Sequence, residues 1–380
     1  MPGLHPHIDP DGLLEYSVVF TDRALNHMSA SFQGVMNDIS HTLKMVHNAH
    51  AVALVPGGGT FAMEAVARQF ASGVDCLVIR NGLFSFRWSQ ILATGNIAAN
   101  CTVLKARPSS DRRFAPYAPP PLDEVTAAIA TSKPRVVFAP HVETASGILL
   151  PDTYIETVAD SARASGGLFV LDCIASGALW VDMEASGVDI LISAPQKGWS
   201  ASPSCGLVMM NARAREQIES TVSSSFACDL LKWLHITEAY ESGGHAYHAT
   251  MPTDALSRFR ETAMEIKAFG FERARTLQWE LGEQVRALLA EAAFESVSAE
   301  GFQAPGVVVS YTDEAGLQNG SWFAEAGLQI AAGVPLQLDE PEDFQTFRIG
   351  LFGLDKLQNI GRTVEGLKSA LEQIRPHATG

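Results

Sequence analysis

The chain has 380 residues, of which 42 are acidic and 27 are basic, so its formal net charge is −15. This balance argues against nucleic acid and anionic membranes as partners, because both attract cationic surfaces. Hydrophobic residues make up 47% of the chain and charged residues 18%, which excludes a disordered protein and predicts one large domain with a smaller second one.

The N-terminal residues MPGLHPHIDPDG contain no basic region followed by an apolar run, so we expect no signal peptide. The longest apolar run, Leu168–Val181, is interrupted by Asp172 and is too short to span a bilayer. The five cysteines are scattered and form no C-x-x-C pair, which is typical of reduced thiols. The sequence therefore predicts a soluble cytoplasmic protein, with enzymes as the favoured class.

Six short apolar runs predict strands, and helical patterns such as Phe61–Ala71 and Pro151–Ala164 lie between them. The runs are apolar at consecutive positions, as in strands that are covered on both faces of a mainly parallel sheet. They are Ala51–Val55, Cys76–Ile79, Arg135–Ala139, Leu168–Leu171, Asp189–Ile192 and Gly206–Met210. The alternation predicts an α/β fold whose ligands bind at the carboxyl ends of the strands.

The pattern changes after Pro252. One long helix is predicted from Asp254, a plausible cap, to about Ala293. A smaller α+β unit follows, with strands near Val307–Tyr311 and Thr346–Gly350 and a helix near Trp322–Gly327. A last helix carries an apolar stripe made of Leu357, Ile360, Val364, Leu367, Leu371 and Ile374.

We place the domain boundary inside the long helix. The prediction is a large domain of residues 1–265, which includes an N-terminal segment of residues 1–45, and a small C-terminal domain of residues 266–380.

A glycine-rich segment, Pro56–Thr60, directly follows the first predicted strand and precedes a helix. Glycine amides can approach an anion closely, and a helix N-terminus directs its free N–H groups and its positive dipole end at the same place. The motif alone leaves two interpretations open. It is an anion-binding loop to which Thr60 adds a hydroxyl, or a simple turn in which Thr60 is the helix N-cap.

Two ionisable residues follow other predicted strands. Asp172 ends a buried strand, where a carboxylate needs a cationic or hydrogen-bonding partner, such as a helix N-terminus or a protonated ring nitrogen. Lys197 lies between two apolar strands, where partial burial would lower its pKa and make it a Schiff-base nucleophile; a solvated surface lysine is the alternative. The hydroxyl-rich loop His141–Gly147 is expected at the same edge of the sheet.

Together, the glycine loop, Asp172 and Lys197 suit pyridoxal 5'-phosphate. The loop would hold the phosphate, Asp172 would keep the pyridine nitrogen protonated, and Lys197 would form the aldimine. Pyridoxal phosphate is therefore the predicted cofactor.

These residues resemble the class V aminotransferases of pyridoxal-phosphate fold type I, most closely the serine–pyruvate/alanine–glyoxylate group. The resemblance runs from about residue 50 to the C-terminus and implies a large domain with a mainly parallel sheet and a smaller α+β domain. It also implies roles for single residues. Gly58, Gly59, Thr60 and Gln196 would bind the phosphate, Phe84 would stack on the cofactor ring where the family often has Trp, Thr144 would contact the cofactor, Asp172 would pair with the pyridine nitrogen, and Lys197 would be the Schiff-base lysine.

Two further segments extend the resemblance. Tyr247–Pro252 is similar to a segment that, in the family, reaches the partner subunit's phosphate, which implies cofactor contacts by Tyr247 and Thr250 in an obligate homodimer. Phe347–Gly350 resembles a strand whose arginine, here Arg348, grips the substrate carboxylate, a task that suits a bidentate guanidinium.

The sequence departs from the family near its N-terminus, where Glu15–Phe32 replaces the usual Gly-Pro-Gly-Pro segment. With this replacement the sequence does not define which substrate side chains the site would accept, but the predicted cofactor is unaffected.

The resemblance implies an aminotransferase that moves an amino group from a small, alanine- or serine-like amino acid to a 2-oxo acid such as glyoxylate or pyruvate. The cycle would be ping-pong, with Lys197 as general acid and base. A lyase or desulfurase that uses the same cofactor is the alternative. A non-catalytic homologue is disfavoured, because Asp172, Lys197 and Arg348 are all present.

Other polar residues receive structural roles. His235, His245 and His248 form no H-E-x-x-H motif, so no metal site is predicted. Arg80 and Arg87 flank Phe84 and could recognise a second acidic group on a substrate, but ion pairs at the surface or an interface are the expected role.

Overall fold

The computed structural model describes residues 8–10 and 12–378, with side chains up to residue 374. Residues 1–7, 11, 379 and 380, which belong to the predicted N-terminal segment and small domain, lie outside the described residues. Over the described ranges, no helix combines the length and the hydropathy that a membrane span requires.

The helices and strands are numbered along the chain. The strands are β1 Ala51–Pro56, β2 Asp75–Arg80, β3 Asn100–Lys105, β4 Arg107–Pro108, β5 Tyr117–Ala118, β6 Val136–Pro140, β7 Val142–Glu143, β8 Ile148–Leu149, β9 Leu168–Asp172, β10 Ile190–Ser193, β11 Cys205–Met210, β12 Val307–Tyr311, β13 Ala331–Ala332 and β14 Thr346–Gly350. The helices are α1 Ala30–His47, α2 Gly59–Phe70, α3 Leu83–Thr94, α4 Leu122–Ser132, α5 Asp152–Ala164, α6 Met183–Ser186, α7 Ala212–Ile218, α8 Leu230–Glu241, α9 Thr253–Phe269, α10 Phe271–Glu291, α11 Ala315–Gln318, α12 Ser321–Glu325, α13 Leu354–Gln358 and α14 Ile360–Ala378.

A seven-stranded sheet is the centre of the fold, in the order β1-β11-β10-β9-β6-β2-β3. Strands β10, β9, β6, β2 and β3 pair in parallel, and β11 is antiparallel to both of its neighbours. Strands β6, β9, β10 and β11 are buried along their whole length. The prediction of a mainly parallel sheet is confirmed, and each of the six predicted strands lies within one residue of its expected bounds.

Helices pack against this sheet, and a second sheet lies in the C-terminal part of the chain. Helix α2 contacts β1, β10 and β11, α3 contacts β2 and β6, and α5 contacts β9. The second sheet is antiparallel, in the order β12-β14-β13, and its middle strand carries Arg348 opposite Val309 and Ala331. A separate buried cluster, which includes Val142, Ile148 and Val307, joins the β7–β8 hairpin to β12.

The prediction of a single long helix from Asp254 to Ala293 is wrong. The helix is interrupted at Gly270, whose φ of 101° lies outside the helical region, and the chain continues as α10. Asp254 is also not the cap. Pro252 precedes the first turn, and the Asp254 carboxylate accepts a hydrogen bond from the Leu25 amide at 3.0 Å. Asp254 therefore ties the N-terminal segment to α9.

Two smaller differences have local causes. The apolar stripe that starts at Leu357 is divided at Asn359, whose side chain bonds to the carbonyl of Asp355 and separates α13 from α14. Strand β3 did not appear among the predicted runs. It is an edge strand with half-exposed or exposed residues throughout, so it has no continuous apolar run.

Asp189 links three strands of the sheet just before β10 begins. The fully buried carboxylate accepts hydrogen bonds from the Phe169 amide at 2.8 Å and from Asn211 Nδ2 at 2.8 Å. It also forms an ion pair with Arg213, whose Nε lies 3.0 Å from Oδ1. These contacts connect the start of β9 with the residues around β10 and β11, and so support the strands that lead to Asp172 and Lys197.

Replacing this carboxylate should therefore destabilise the protein. We expect Asp189→Ala to lower the free energy of unfolding by about 3 kcal/mol, because Arg213 would keep a partly buried charge without its partner. Urea titration would measure the change. The control is Asp160→Ala, which removes an exposed pair with Arg163 at 3.6 Å and should cost less than about 0.5 kcal/mol. Equal effects of the two substitutions would contradict the assigned role.

Candidate active site

The carboxyl ends of five strands bring the predicted site residues to one edge of the sheet. The glycine loop follows β1, the segment with Phe84 follows β2, and the loop with Thr144 follows β6. Asp172 is the last residue of β9, and Lys197 follows β10. Direct contacts described below join these segments to one another, as expected for parallel strands whose ends share an edge.

The glycine loop leaves the start of α2 without a side-chain cap. Gly58 is the N-cap, so the alternative in which Thr60 caps the helix is wrong. Gly57 has a φ of 120°, which favours glycine, and a Cβ on Gly58 would meet no atom within 4 Å. A Cβ on Gly59 would lie 2.5 Å from the Ile174 side chain, so the loop packs against the chain that follows Asp172. An uncapped helix start beside open space fits an anion.

Asp172 is a buried carboxylate with little support from the protein. It is 7% exposed, and its Oδ1 accepts a hydrogen bond from the Ile174 amide at 2.9 Å. The pKa of Asp172 is raised to about 7, chiefly by burial and also by the nearby Glu143 carboxylate, whereas the Ile174 hydrogen bond and the charges of Arg87 and Lys197 act in the opposite direction. A protonated ring nitrogen would give this carboxylate the cationic partner that burial calls for.

Lys197 lies in a tightly packed turn. A Cβ on the next residue, Gly198, would lie 2.0 Å from the Gly177 carbonyl oxygen, and Trp199 is buried after it. The Lys197 ammonium lies 4.9 Å from the Phe352 ring centre and makes no hydrogen bond or ion pair with the described residues. Burial lowers the pKa of Lys197, and the positive charges of Arg348 and Arg87 lower it further. This lysine is suited to act as a neutral amine.

Gln196 presents a buried polar group beside Lys197. Its side-chain oxygen has no hydrogen-bond partner among the described residues. Buried polar groups are normally satisfied, so an unpaired carboxamide next to the lysine fits a bound polar ligand.

Phe84 is a half-buried ring on the first turn of α3. The guanidinium carbon of Arg87 lies 4.7 Å from its ring centre, and that of Arg348 lies 5.7 Å from it. Two cations therefore lie close to this ring at the sheet edge.

Arg348 is fixed by backbone groups on one side. Its Nε donates to the Ala332 carbonyl at 2.8 Å, and its Nη1 lies 3.5 Å from the carbonyl oxygen of Thr144. The Thr144 residue is thus placed beside the arginine as well as at the sheet edge. No described residue forms an ion pair with Arg348, and burial lowers its pKa. The rest of the guanidinium can receive an anion.

Glu143 is a structural residue that the sequence analysis did not single out. It is fully buried, and its two oxygens accept hydrogen bonds from the amides of Phe84 (3.2 Å), Ser85 (2.8 Å) and Ala145 (3.0 Å), and from the Ser85 hydroxyl. These bonds hold the N-terminus of α3 and therefore the Phe84 ring. The one available signal was a lone acidic residue within the hydroxyl-rich loop His141–Gly147.

The ion pairs expected for Arg80 and Arg87 are absent among the described residues. Arg80 donates to Ser89 Oγ at 2.9 Å and to the Gln337 carbonyl at 3.3 Å. Arg87 instead donates a hydrogen bond from Nη1 to the Thr60 hydroxyl of the glycine loop at 3.3 Å.

Tyr247 and Thr250 are not brought to the other site residues within one chain. Both are exposed, and their hydroxyl oxygens lie 3.2 Å apart. No described contact joins either of them to the glycine loop or to Lys197.

Comparisons with known proteins agree with this geometry. Residues 14–333 match the protein family described as aminotransferase class-V. The chain is 28% identical to 2-aminoethylphosphonate–pyruvate transaminase 2 of Paraburkholderia xenovorans, over 93% of this chain and 90% of that protein. It is 25% identical to alanine–glyoxylate aminotransferase of Rattus norvegicus, over 92% and 83%.

Solved structures share the fold. An alanine–glyoxylate aminotransferase from Nostoc sp. matches with a TM-score of 0.75 at 22% identity, covering 91% of this chain and 88% of that one. An aspartate aminotransferase from Thermus thermophilus also matches with a TM-score of 0.75 at 22% identity, covering 98% and 97%. The predicted fold type I architecture is confirmed.

The raised pKa of Asp172 predicts a pH-dependent stability of the cofactor-free protein. Between roughly pH 4 and pH 7 the folded chain keeps a proton on Asp172 that the unfolded chain has lost. The contribution of this group therefore falls as the pH rises through that window and stays low above it. We expect Asp172→Asn to be several degrees more stable than wild type in thermal unfolding at about pH 8, and indistinguishable at about pH 4.

The exposed Asp160→Asn variant serves as the control and should show no such divergence. A constant difference between Asp172→Asn and wild type across the whole pH range would refute the assignment.

Proposed function

The chain belongs to the class-V aminotransferase family, and we propose that it moves the amino group of a small alanine- or serine-like amino acid to pyruvate or glyoxylate. The protein is a pyridoxal-phosphate-dependent aminotransferase, and the lyase or desulfurase alternative is the weaker one. The observation that carries the proposal is the free part of the Arg348 guanidinium at the edge of the site.

Arg348 suits a donor with an anionic group next to a short carbon chain. Its two contacts to backbone carbonyls fix the plane of the guanidinium, and a fixed fork orients a bound oxyanion. Both substrates of an amino-acid transaminase carry a carboxylate, so one arginine can serve both halves of a ping-pong cycle.

A second donor class is supported by the relatives. Several of them are named for 2-aminoethylphosphonate and pyruvate. A phosphonate presents oxygens that a guanidinium also binds bidentately. The donor test below therefore includes both a carboxylate and a phosphonate.

The residues around the cofactor divide into two groups. We assign the phosphate to the amides of Gly58 and Gly59, to the Thr60 hydroxyl and to Gln196. Phe84 offers its face to the cofactor ring, and Thr144 contributes from the β7–β8 hairpin.

Asp172 and Lys197 carry the chemistry. Bound pyridoxal phosphate supplies an electron sink in its protonated ring. The Asp172 carboxylate would hold the proton on the ring nitrogen, and that pairing would offset the cost of its own burial. As a neutral amine, Lys197 would take the proton from the substrate Cα, and as the resulting ammonium it would release that proton again, a role that its lowered pKa suits.

We test the donor assignment with alanine, serine and 2-aminoethylphosphonate, each offered with pyruvate or glyoxylate. We expect turnover with alanine or serine, and an increase in KM of about 100-fold in Arg348→Gln, because the anion would lose a charged two-point partner. The exposed Arg258→Gln variant is the control and should behave as wild type. Preferred turnover of 2-aminoethylphosphonate would select the second donor class, and an unchanged KM in Arg348→Gln would reject the role of Arg348.

We further propose a homodimer in which Tyr247 and Thr250 complete the partner's phosphate site. Large apolar side chains stay exposed in the single chain, among them Tyr16 at 89%, Val222 at 83% and Phe226 at 76%. Large apolar and aromatic side chains are enriched at protein interfaces. The exposed Tyr247–Thr250 pair, which has no contact to the site of its own chain, is consistent with this arrangement.

Hybrid dimers test this arrangement. Lys197→Ala should have no transaminase activity, and a Tyr247→Ala/Thr250→Ala variant should be nearly inactive at low cofactor concentration. If the site is shared, one of the two sites in a mixed dimer contains neither change. Co-refolded variants should regain about a quarter of wild-type activity, since half of the dimers would be mixed.

Differently tagged subunits would show that mixed dimers had formed. Mixed dimers without any regained activity would mean that Tyr247 and Thr250 serve their own chain, and a monomer in sedimentation would exclude the dimer itself.

The cellular location and the domain division complete the proposal. We propose a cytoplasmic location, which the five free cysteines support. We also propose the division into residues 1–265, which hold the cofactor, and residues 266–380, which supply Arg348. The placement of the seven-stranded sheet before residue 211 and of the three-stranded sheet after residue 306 supports this division.

A further inference from the structure

Arg87 is a cation of the candidate site with no acidic partner. It lies on α3, one turn after Phe84, and its guanidinium carbon lies 4.7 Å from the Phe84 ring centre. The residue is half-buried and forms no ion pair with any described residue. Its contact with Phe84 holds the side chain at the sheet edge.

The guanidinium reaches the glycine loop through one hydrogen bond. Arg87 Nη1 donates to Thr60 Oγ1 at 3.3 Å. A threonine hydroxyl has one proton, so an oxygen that accepts from Arg87 keeps its own proton for another acceptor. Thr60 lies in the first turn of α2, which has no side-chain cap. The uncapped helix start, the Thr60 hydroxyl and a positive charge therefore meet at one place.

The two guanidiniums near Phe84 are anchored to different parts of the chain. Arg87 is bound to Thr60, whereas Arg348 is bound to the carbonyls of Ala332 and Thr144. Each cation is therefore fixed to a separate region of the site, and two anionic groups can be bound at two separate positions.

We propose that Arg87 is a positioning residue for the cofactor phosphate, which orients the Thr60 hydroxyl and adds positive charge to the glycine loop, while Arg348 serves the substrate anion. The inference rests on the proposed function, because it takes the glycine loop as the phosphate site. This role differs from both interpretations in the sequence analysis, which were an ion pair and the recognition of a second acidic group on a substrate.

The electrostatics of the site agree with this role. Arg87 contributes to the lowered pKa of Lys197, after burial and Arg348, and it opposes the burial that raises the pKa of Asp172. A doubly charged phosphate bound beside Arg87 would compensate the positive charge of the guanidinium.

The test compares the affinity of the protein for pyridoxal phosphate with its affinity for pyridoxal, which lacks the phosphate. Binding is followed by the absorption of the bound chromophore in wild type, Arg87→Gln, Arg87→Lys, Thr60→Val and the double variant Arg87→Gln/Thr60→Val. We expect Arg87→Gln to weaken pyridoxal phosphate binding by about 10- to 100-fold and to leave pyridoxal binding within about twofold. Arg87→Lys should recover part of the loss.

Coupling between the two residues provides a second readout. If Arg87 acts through Thr60, the double variant should bind pyridoxal phosphate more tightly than the two single losses multiplied together would predict. Arg258→Gln is the matched control, and unchanged thermal unfolding of the cofactor-free variants would show that they are folded.

Three results would overturn the inference. Equal losses for pyridoxal phosphate and pyridoxal would make Arg87 a general structural residue. Unchanged cofactor affinity with a raised donor KM would assign it to the substrate, and multiplicative losses in the double variant would separate it from Thr60. A wild-type protein that does not bind pyridoxal phosphate would instead refute the proposed function.

Discussion

The burial of the Asp172 carboxylate is the constraint on which the site depends. A carboxylate at the end of a fully buried strand loses its hydration, and the described part of the chain returns one hydrogen bond to it, from the Ile174 amide. The raised pKa expresses this imbalance. A cationic ring nitrogen would offset this cost, so a residue that is unfavourable in the free protein would become favourable beside such a partner. The neighbouring parallel strands are needed because the glycine loop, Phe84 and Lys197 follow their carboxyl ends and so lie at the same edge of the sheet.

Local charge at this edge is opposite to the charge of the whole chain. The net charge of −15 excludes polyanionic partners, but Lys197, Arg87 and Arg348 stand together around the Phe84 ring and Asp172. These cations interact over short distances in a partly buried region, where screening by water and salt is weak. Small anions are therefore attracted to the site of an acidic protein. Burial lowers the pKa of Lys197, and the charges of Arg348 and Arg87 lower it further.

The sequence predicted the parts of the fold that depend on continuous burial. Strands such as β9 and β10 are apolar at every position, and the polar residues that follow them had to emerge at one edge. Features that depend on tertiary contacts escaped prediction. The half-exposed strand β3 lacks an apolar pattern, and Gly270 interrupts a stripe that reads as one helix. The role of Glu143 depends on amides that lie 58 or more residues away in the chain.

Glu143 connects the two functions assigned to α3. Three of its four hydrogen bonds hold the helix start, and the helix in turn carries both the Phe84 ring and the Arg87 guanidinium, one turn apart. The surface for the cofactor ring and the cation beside the glycine loop therefore move as one body. Arg348 belongs to another sheet; among the described residues it approaches this helix at the Phe84 ring, and it also contacts the Thr144 carbonyl beside it. The cofactor end of the site is thus internally fixed, whereas the position of the substrate anion depends on how β14 is seated against the β7–β8 hairpin. Substitutions between those two elements should alter substrate selection before they alter cofactor binding.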